Sequence, residues 1–230
     1  MKGRLKSRKR WIMEEESKSI TLCADNPKAV AEWLVENLFF QCMAERKDYQ
    51  IVHNGSCVLH IYDNSIDWDT DKYFSDFTHV AMGTSDIDKA IDWCISRQLK
   101  LHLDNGKSFY NPKVYDLGEK YFNIVSPFGI IFEVSQHVKP QKECPKGIIY
   151  GLDHIGLPVA DICDAKELFH AYGYTDEFDM VTNRNENEGT IFCIMMKKGN
   201  IILEVYQFAD IEFDYEQNDV KKAKIRIEKY

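Results

Sequence analysis

The sequence predicts an α+β protein assembled from repeated βαβββ modules, and three observations carry that expectation. A pattern of short strand, capped amphipathic helix and closing β-hairpin recurs three times along the 230 residues, with the first copy degenerate. The second and third copies each carry a histidine in the opening strand and a glutamate in the closing one. The seven cysteines form no Cys-x-x-Cys pair, so neither a disulfide framework nor a thiolate zinc cage organises the chain.

A basic arm over residues 1–18 comes first, with six Lys or Arg among the first ten positions, and is expected to be a solvated tail. The first module, 19–63, opens with a strand over 19–23. Asn26 then caps a helix with Pro27 at its favoured first position and Val30, Trp33, Leu34 and Leu38 on one face. A hairpin turning at Asn54-Gly55 closes it; the turn explains the Asn54-Gly55-Ser56 sequon better than a glycan does.

The second module, 76–138, reads as a strand over 77–82, a cap at Ser85 or Asp86, and a helix burying Ile87, Ala90, Ile91, Cys94 and Ile95. Strands are expected over 99–103, 113–117 and 120–125, with a turn at Asp104-Asn105-Gly106. Ser126-Pro127-Phe128-Gly129 then leads into a last strand over 130–134. The third module, 148–209, has a strand over 152–157, Asp161 as cap, a helix face of Ile162, Ala165, Leu168, Phe169 and Tyr172, and Gly173 as left-handed terminator. A hairpin about Lys198-Gly199 ends it. The joints at 64–76 and 138–147 read as linkers, and 210–230 as a C-terminal tail. Modules of about 60 residues are marginal alone, so they should pair.

Composition narrows the class. With 44% hydrophobic residues the chain can bury a core, and a net charge of −8 with pI near 5.4 argues against nucleic acid as a partner. No apolar run reaches the length of a spanning helix and no apolar segment follows the basic arm, so a cytoplasmic protein without a membrane role is expected.

His79, Glu133, His154 and Glu204 are the chemical signal, spaced 54, 21 and 50 residues apart. Each glutamate lies in an apolar strand, where a lone carboxylate is costly unless something positive compensates it. One divalent metal ion would do so, and imidazole with carboxylate suits Ni, Zn, Co, Mn or Fe. The first module has His60 at the glutamate position and only Ser19–Thr21 at the histidine position. It therefore keeps the pattern without the ligand pair.

The stretches DFTHVAMGTSDIDKAIDW, SPFGIIFEV, GLDHIGLPVADICDA and GNIILEVYQ resemble the vicinal oxygen chelate superfamily, which includes glyoxalases, extradiol dioxygenases and bleomycin resistance proteins. Ser126 stands where Asp is usual. The resemblance covers roughly residues 76–208, more weakly 19–62, and implies a glyoxalase-like fold in which two modules pair their sheets into a metal-binding cleft. It also implies His79, Glu133, His154 and Glu204 as metal ligands. That quartet looks most like bacterial lactoylglutathione lyase, which implies a small-molecule substrate with vicinal oxygens and proton transfer beside a carbonyl through a metal-bound enediolate. Glu133 or Glu204 would act as base, with Glu204 preferred.

Strand alternation would line the cleft with Ala81, Ile131, Ser135, Gly156, Ile202 and Tyr206. A thiol conjugate would need cations, for which Arg97, Lys107 and Arg184 are candidates. An odd module count points to a homodimer through the first module, or to that module capping the site. A non-haem iron dioxygenase and a non-catalytic binding or antibiotic resistance protein are the alternative readings.

Overall fold

The computed structural model describes residues 18–63, 65, 78–114, 118–137, 147–183, 190–209 and 224–226. The first unit comprises β1 (Lys18–Ala24), α1 (Pro27–Asn37), β2 (Gln41–Glu45), β3 (Tyr49–Asn54) and β4 (Cys57–Asp63). The second comprises β5 (His79–Gly83), α2 (Ile87–Ser96), β6 (Lys100–His102), β7 (Phe109–Asn111), β8 (Glu119–Val125) and β9 (Ile131–His137). The third comprises β10 (Tyr150–Pro158), α3 (Ile162–Ala171), β11 (Thr175–Asn183), β12 (Thr190–Lys198) and β13 (Ile201–Phe208). β14 (Lys224–Arg226) lies within the stretch expected to be a tail.

The helices begin where short polar side chains satisfy free backbone donors. Asn26 accepts the Ala29 N–H at 3.0 Å, Asp86 the Lys89 N–H at 3.1 Å, and Asp161 those of Cys163 and Asp164 at 2.8 and 3.0 Å. A second device repeats with the modules. Gln136 and Gln207 each stand three residues after the strand glutamate and accept the first N–H of a helix, that of Ile87 at 3.0 Å and that of Ile162 at 3.1 Å. Each closing strand is thereby tied to the helix that covers it.

In every unit the first strand pairs in parallel with the last; the order is first, last, third, second in the first and third units and β5-β9-β8-β6 in the second, where β7 also pairs with β8. β5 and β10 pair antiparallel and join the second and third units into one nine-stranded sheet. The first unit forms a separate five-stranded sheet in which β14 pairs antiparallel with β1. β14 thus occupies, in the first unit, the strand edge by which the other two units join. Register repeats as well: Thr21 faces His60, Ala81 faces Glu133 and Gly156 faces Glu204. His60 is the first unit's counterpart of the two glutamates, as the sequence alignment implies.

One apolar core runs along the helix side of all three units, from Leu22, Leu34 and Leu59 through Val80, Phe122 and Phe132 to Leu157 and Phe169. The first unit joins it through Trp33 against Phe132 (5.8 Å between ring centres) and Phe39 against Trp93 (4.6 Å). Asn54 is buried and donates its amide to the carbonyls of Leu38 and Ile149, which fixes the hairpin and excludes a glycan there. A smaller cluster of Val114, Met180, Ile191, Cys193, Met195, Tyr206 and Phe208 lies on the opposite face of the third unit.

Two sequence expectations are corrected. In the stretch 113–117, Lys113 and Val114 belong to no strand: Pro112 lacks the N–H that a ladder needs, and Val114 is buried in the smaller cluster, while 115–117 lie outside the described residues. The expected strand over 99–103 is β6, and the additional strand is β7; both pair with β8 and are separated by the Asp104–Lys107 turn. Ile95 is 57% exposed, because the buried face of α2 ends at Cys94 and half-buried Trp93 meets the first unit instead. The linkers at 64–76 and 138–147 fall almost wholly outside the described residues.

Candidate metal centre

Alternation in β5, β9 and β13 sends Val80, Met82, Phe132, Val134, Leu203 and Val205 to the helix-side core. His79, Glu133 and Glu204 are therefore directed to the opposite face. β10 brings His154 beside them. All four side chains are buried. His79 Nε2 lies 3.3 Å from His154 Nε2, 3.9 Å from Glu133 Oε2 and 3.3 Å from Glu204 Oε2. His154 Nε2 lies 3.5 Å from Glu133 Oε1 and 3.6 Å from Glu204 Oε2.

Donors about 2.1 Å from one ion stand roughly 3.0 Å apart in an octahedral shell and 3.4 Å apart in a tetrahedral one. These separations suit a single divalent ion held by His79, Glu133 and His154, whose ligand atoms all lie within 4.8 Å of one another, and Glu204 Oε2 stands beside both imidazoles. Electrostatics agree with the geometry. Burial disfavours charge on His154, yet the hydrogen bond to Asp153 and the nearby Glu204 and Glu133 hold its pKa well above the usual imidazole value. Burial likewise opposes ionisation of Glu204, but His154 and His79 keep it well below the usual carboxylate range. A field that holds a proton on His154 attracts a cation at the same place.

Gly156 makes the arrangement sterically possible. It faces His79 across β5 and β10, and a Cβ there would lie 1.9 Å from Cε1 and 2.3 Å from Nε2 of that ring. The glycine expected to line the cleft lies instead under the His79 ring.

Behind His154 lies a polar chain that the sequence did not disclose. Asp153 Oδ2 is 2.9 Å from His154 Nδ1, and its carboxylate is 3.0 and 3.2 Å from His137 Nε2. His137 Nδ1 is 3.9 Å from Glu119 Oε1, which accepts the Ser135 hydroxyl. Regular alternation would put Asp153 on the opposite face from His154. The ladder to β5 is irregular between Leu152 and Ile155, and this bulge brings both to one face. Hydrogen bonds from His137 and His154 outweigh burial and hold the Asp153 pKa far down. Burial, followed by the charge of Glu133, pushes Glu119 up to about 7.

The cavity beside the centre has a volume of about 340 Å³ and belongs mainly to the second unit. His79, Glu133, Ile131, Tyr121 and Asn123 line it with Lys100, His102 and Phe109, and the third unit contributes Tyr206 and Phe208. Of the six residues expected to line a cleft, Ile131 and Tyr206 do so. Ser135 is instead bonded to Glu119, and Ile202 packs against the smaller apolar cluster. Arg97 donates to Glu36 and Asn37 and stacks on Trp93, away from the cavity. Lys107 sits in an exposed turn, and Arg184 is outside the described residues. No first-unit residue lines the cavity, so that unit does not cap it.

No protein-family model matches the chain, and no curated protein matches it. Among solved structures, glyoxalase I from Zea mays superposes with a TM-score of 0.59 at 13% identity, covering 84% of this chain and 67% of that one. A mutant of the same enzyme gives 0.57 at 13% identity over 84% and 68%. A glyoxalase/bleomycin resistance protein/dioxygenase from Alicyclobacillus acidocaldarius gives 0.43 at 11% identity over 55% and 94%. The chain has the glyoxalase-like fold of vicinal oxygen chelate proteins, and it carries a buried group of His and Glu side chains able to hold a metal. No helix among the described residues is long and apolar enough to cross a membrane.

Proposed function

We propose that the protein is a metal-dependent lyase or isomerase that moves a proton beside a carbonyl of a small molecule with vicinal oxygens. The observation that carries this reading is the convergence of two imidazoles and two carboxylates, each imidazole Nε2 of His79 and His154 lying 3.3–3.9 Å from Glu133 and Glu204, with His79 and Glu133 at the wall of a cavity. His79 Nε2 and His154 Nε2 with the two carboxylates would hold the ion, and donors of this type suit Ni, Zn, Co, Mn or Fe. A divalent ion there supplies stabilisation of the negative charge that grows on a substrate oxygen as the adjacent carbon loses its proton.

The chain's own residues supply the proton movement. Glu133 lines the cavity, whereas Glu204 faces the Cys193 thiol, 3.8 Å from its Oε1, and both imidazoles. This asymmetry favours Glu133 as the base that takes the proton and returns it to the neighbouring carbon, with Glu204 as an anchor. On this reading Glu133, rather than the Glu204 preferred from the sequence, is the base. Phe109, Tyr121, Tyr206 and Phe208 give the cavity aromatic walls beside Glu133.

The test is solvent deuterium exchange into an α-hydroxycarbonyl probe such as 2-hydroxyacetophenone, followed by NMR. Metal-loaded protein should exchange the carbon-bound hydrogen, and Glu133→Gln should slow it by at least about 100-fold while retaining metal. Undiminished exchange by Glu133→Gln would overturn the assignment of the base, and absence of metal binding would overturn the whole reading.

A further inference from the structure

We infer that the substrate occupies the second unit's side alone and carries a flat apolar body, with Asn123 as the hydrogen-bonding residue that selects it. This rests on the metal-dependent reading above and narrows its substrate class to aromatic α-hydroxycarbonyl compounds.

The two halves of the nine-stranded sheet share register, so their departures from symmetry are informative. Asn123 stands directly opposite Glu133 across β8 and β9, and Met195 stands directly opposite Glu204 across β12 and β13. On the third unit's side, Met195 belongs to a filled apolar cluster with Met180, Ile191 and Cys193, closed by Val114 from the second unit. Asn111 of the same crossing segment donates its amide to Met180 Sδ at 3.6 Å. That half packs apolar side chains beside its glutamate. The second unit's half keeps the 340 Å³ cavity.

Two features of the open half define what fits. Its walls are aromatic: Phe109 stacks on Tyr121 at 5.2 Å, His102 meets Phe109 edge-on at 5.1 Å, and Tyr206 meets Phe208 at 5.5 Å. Such walls favour a planar apolar body. Asn123 lines the same cavity, and its Oδ1 is buried without a hydrogen-bond partner. An orphan acceptor of this kind is unfavourable and is relieved by an O–H or N–H donor. An amide at the position that is methionine in the filled half thus marks the place of a substrate hydroxyl near the metal ligands. Among the described residues Lys100 is the lining's one Lys or Arg, a poor match to a peptidic thiol conjugate with several carboxylates and amides.

The experiment measures zinc content and ligand affinity on the full chain, using 2-hydroxyacetophenone, its methyl ether 2-methoxyacetophenone, and S-methylglutathione as probes. The zinc-loaded protein should bind 2-hydroxyacetophenone more tightly than either of the others. Asn123→Leu should retain zinc but bind the hydroxyl probe about tenfold more weakly, with the ether unaffected. Phe109→Leu, also retaining zinc, should weaken both aromatic probes, which keeps the inference testable if Asn123→Leu does not fold. Zinc-loaded protein that prefers S-methylglutathione, or an Asn123→Leu variant with undiminished affinity for the hydroxyl probe, overturns the inference and leaves the metal-dependent reading standing. Failure to bind zinc, nickel, cobalt, manganese or iron overturns both.

Discussion

Gly156 lies directly against the imidazole of His79, so close that a Cβ on the glycine would fall 1.9 Å from Cε1. Backbone strain is not the issue, since the conflict is with a neighbouring ring rather than with a positive φ. Gly156→Ala should expel His79 from the centre and reduce metal affinity by at least about tenfold, measured by competition with a chelator. Wild-type affinity in that variant would show that His79 is not a ligand.

Asp153 fixes the orientation of His154 through Nδ1, and His137 in turn holds Asp153. Partners that orient a metal-bound imidazole typically contribute 10–100-fold in affinity. Asp153→Asn should lower metal affinity by about that range, and His137→Ala by less. The same chelator competition reads both, and an unchanged Asp153→Asn would remove the carboxylate from the account.

Metal binding should release protons. In the metal-free protein His154 is held protonated above its usual range, and an imidazolium cannot donate a lone pair. Apparent metal affinity should therefore rise with pH until His154 is neutral in the free protein. Titration of metal into weakly buffered protein with a pH indicator should register proton release near neutral pH. Zero release would contradict the assigned state of His154.

Glu119 predicts a stability trend of defined sign. Its folded pKa is raised to about 7, above the ordinary 4.5, so the folded state binds the extra proton and loses stability as pH rises from about 4.5 to about 7. Glu119→Gln lacks that loss. Denaturant unfolding of the metal-free proteins should show the variant gaining on wild type by at least about 1 kcal/mol between pH 5 and pH 7.5. A constant difference across that range would contradict the burial argument.

The three-unit fold was legible because its signals are local. Asn26, Asp86 and Asp161 cap helices, Gly55, Gly173 and Gly199 adopt positive φ at turns or helix ends, and the histidine and glutamate positions recur in register. The edge strands β2 and β11 were not anticipated, because Gln41–Glu45 and Thr175–Asn183 lack a clean apolar alternation. Asp153, His137 and Glu119 escaped notice for a different reason. Adjacent strand residues normally face opposite ways, and only the bulge in β10 turns Asp153 and His154 to the same side. The inequality of the two halves depends on Val114 crossing to the third unit, a long-range contact with no local sequence signature.

The most direct test is X-ray absorption spectroscopy of the nickel- or zinc-loaded protein. The account predicts one tightly held ion per chain with two imidazole nitrogens and carboxylate oxygens at about 2.0–2.2 Å, and no sulfur. A sulfur-containing shell, a shell with fewer than two imidazoles, or no stoichiometric ion would contradict it.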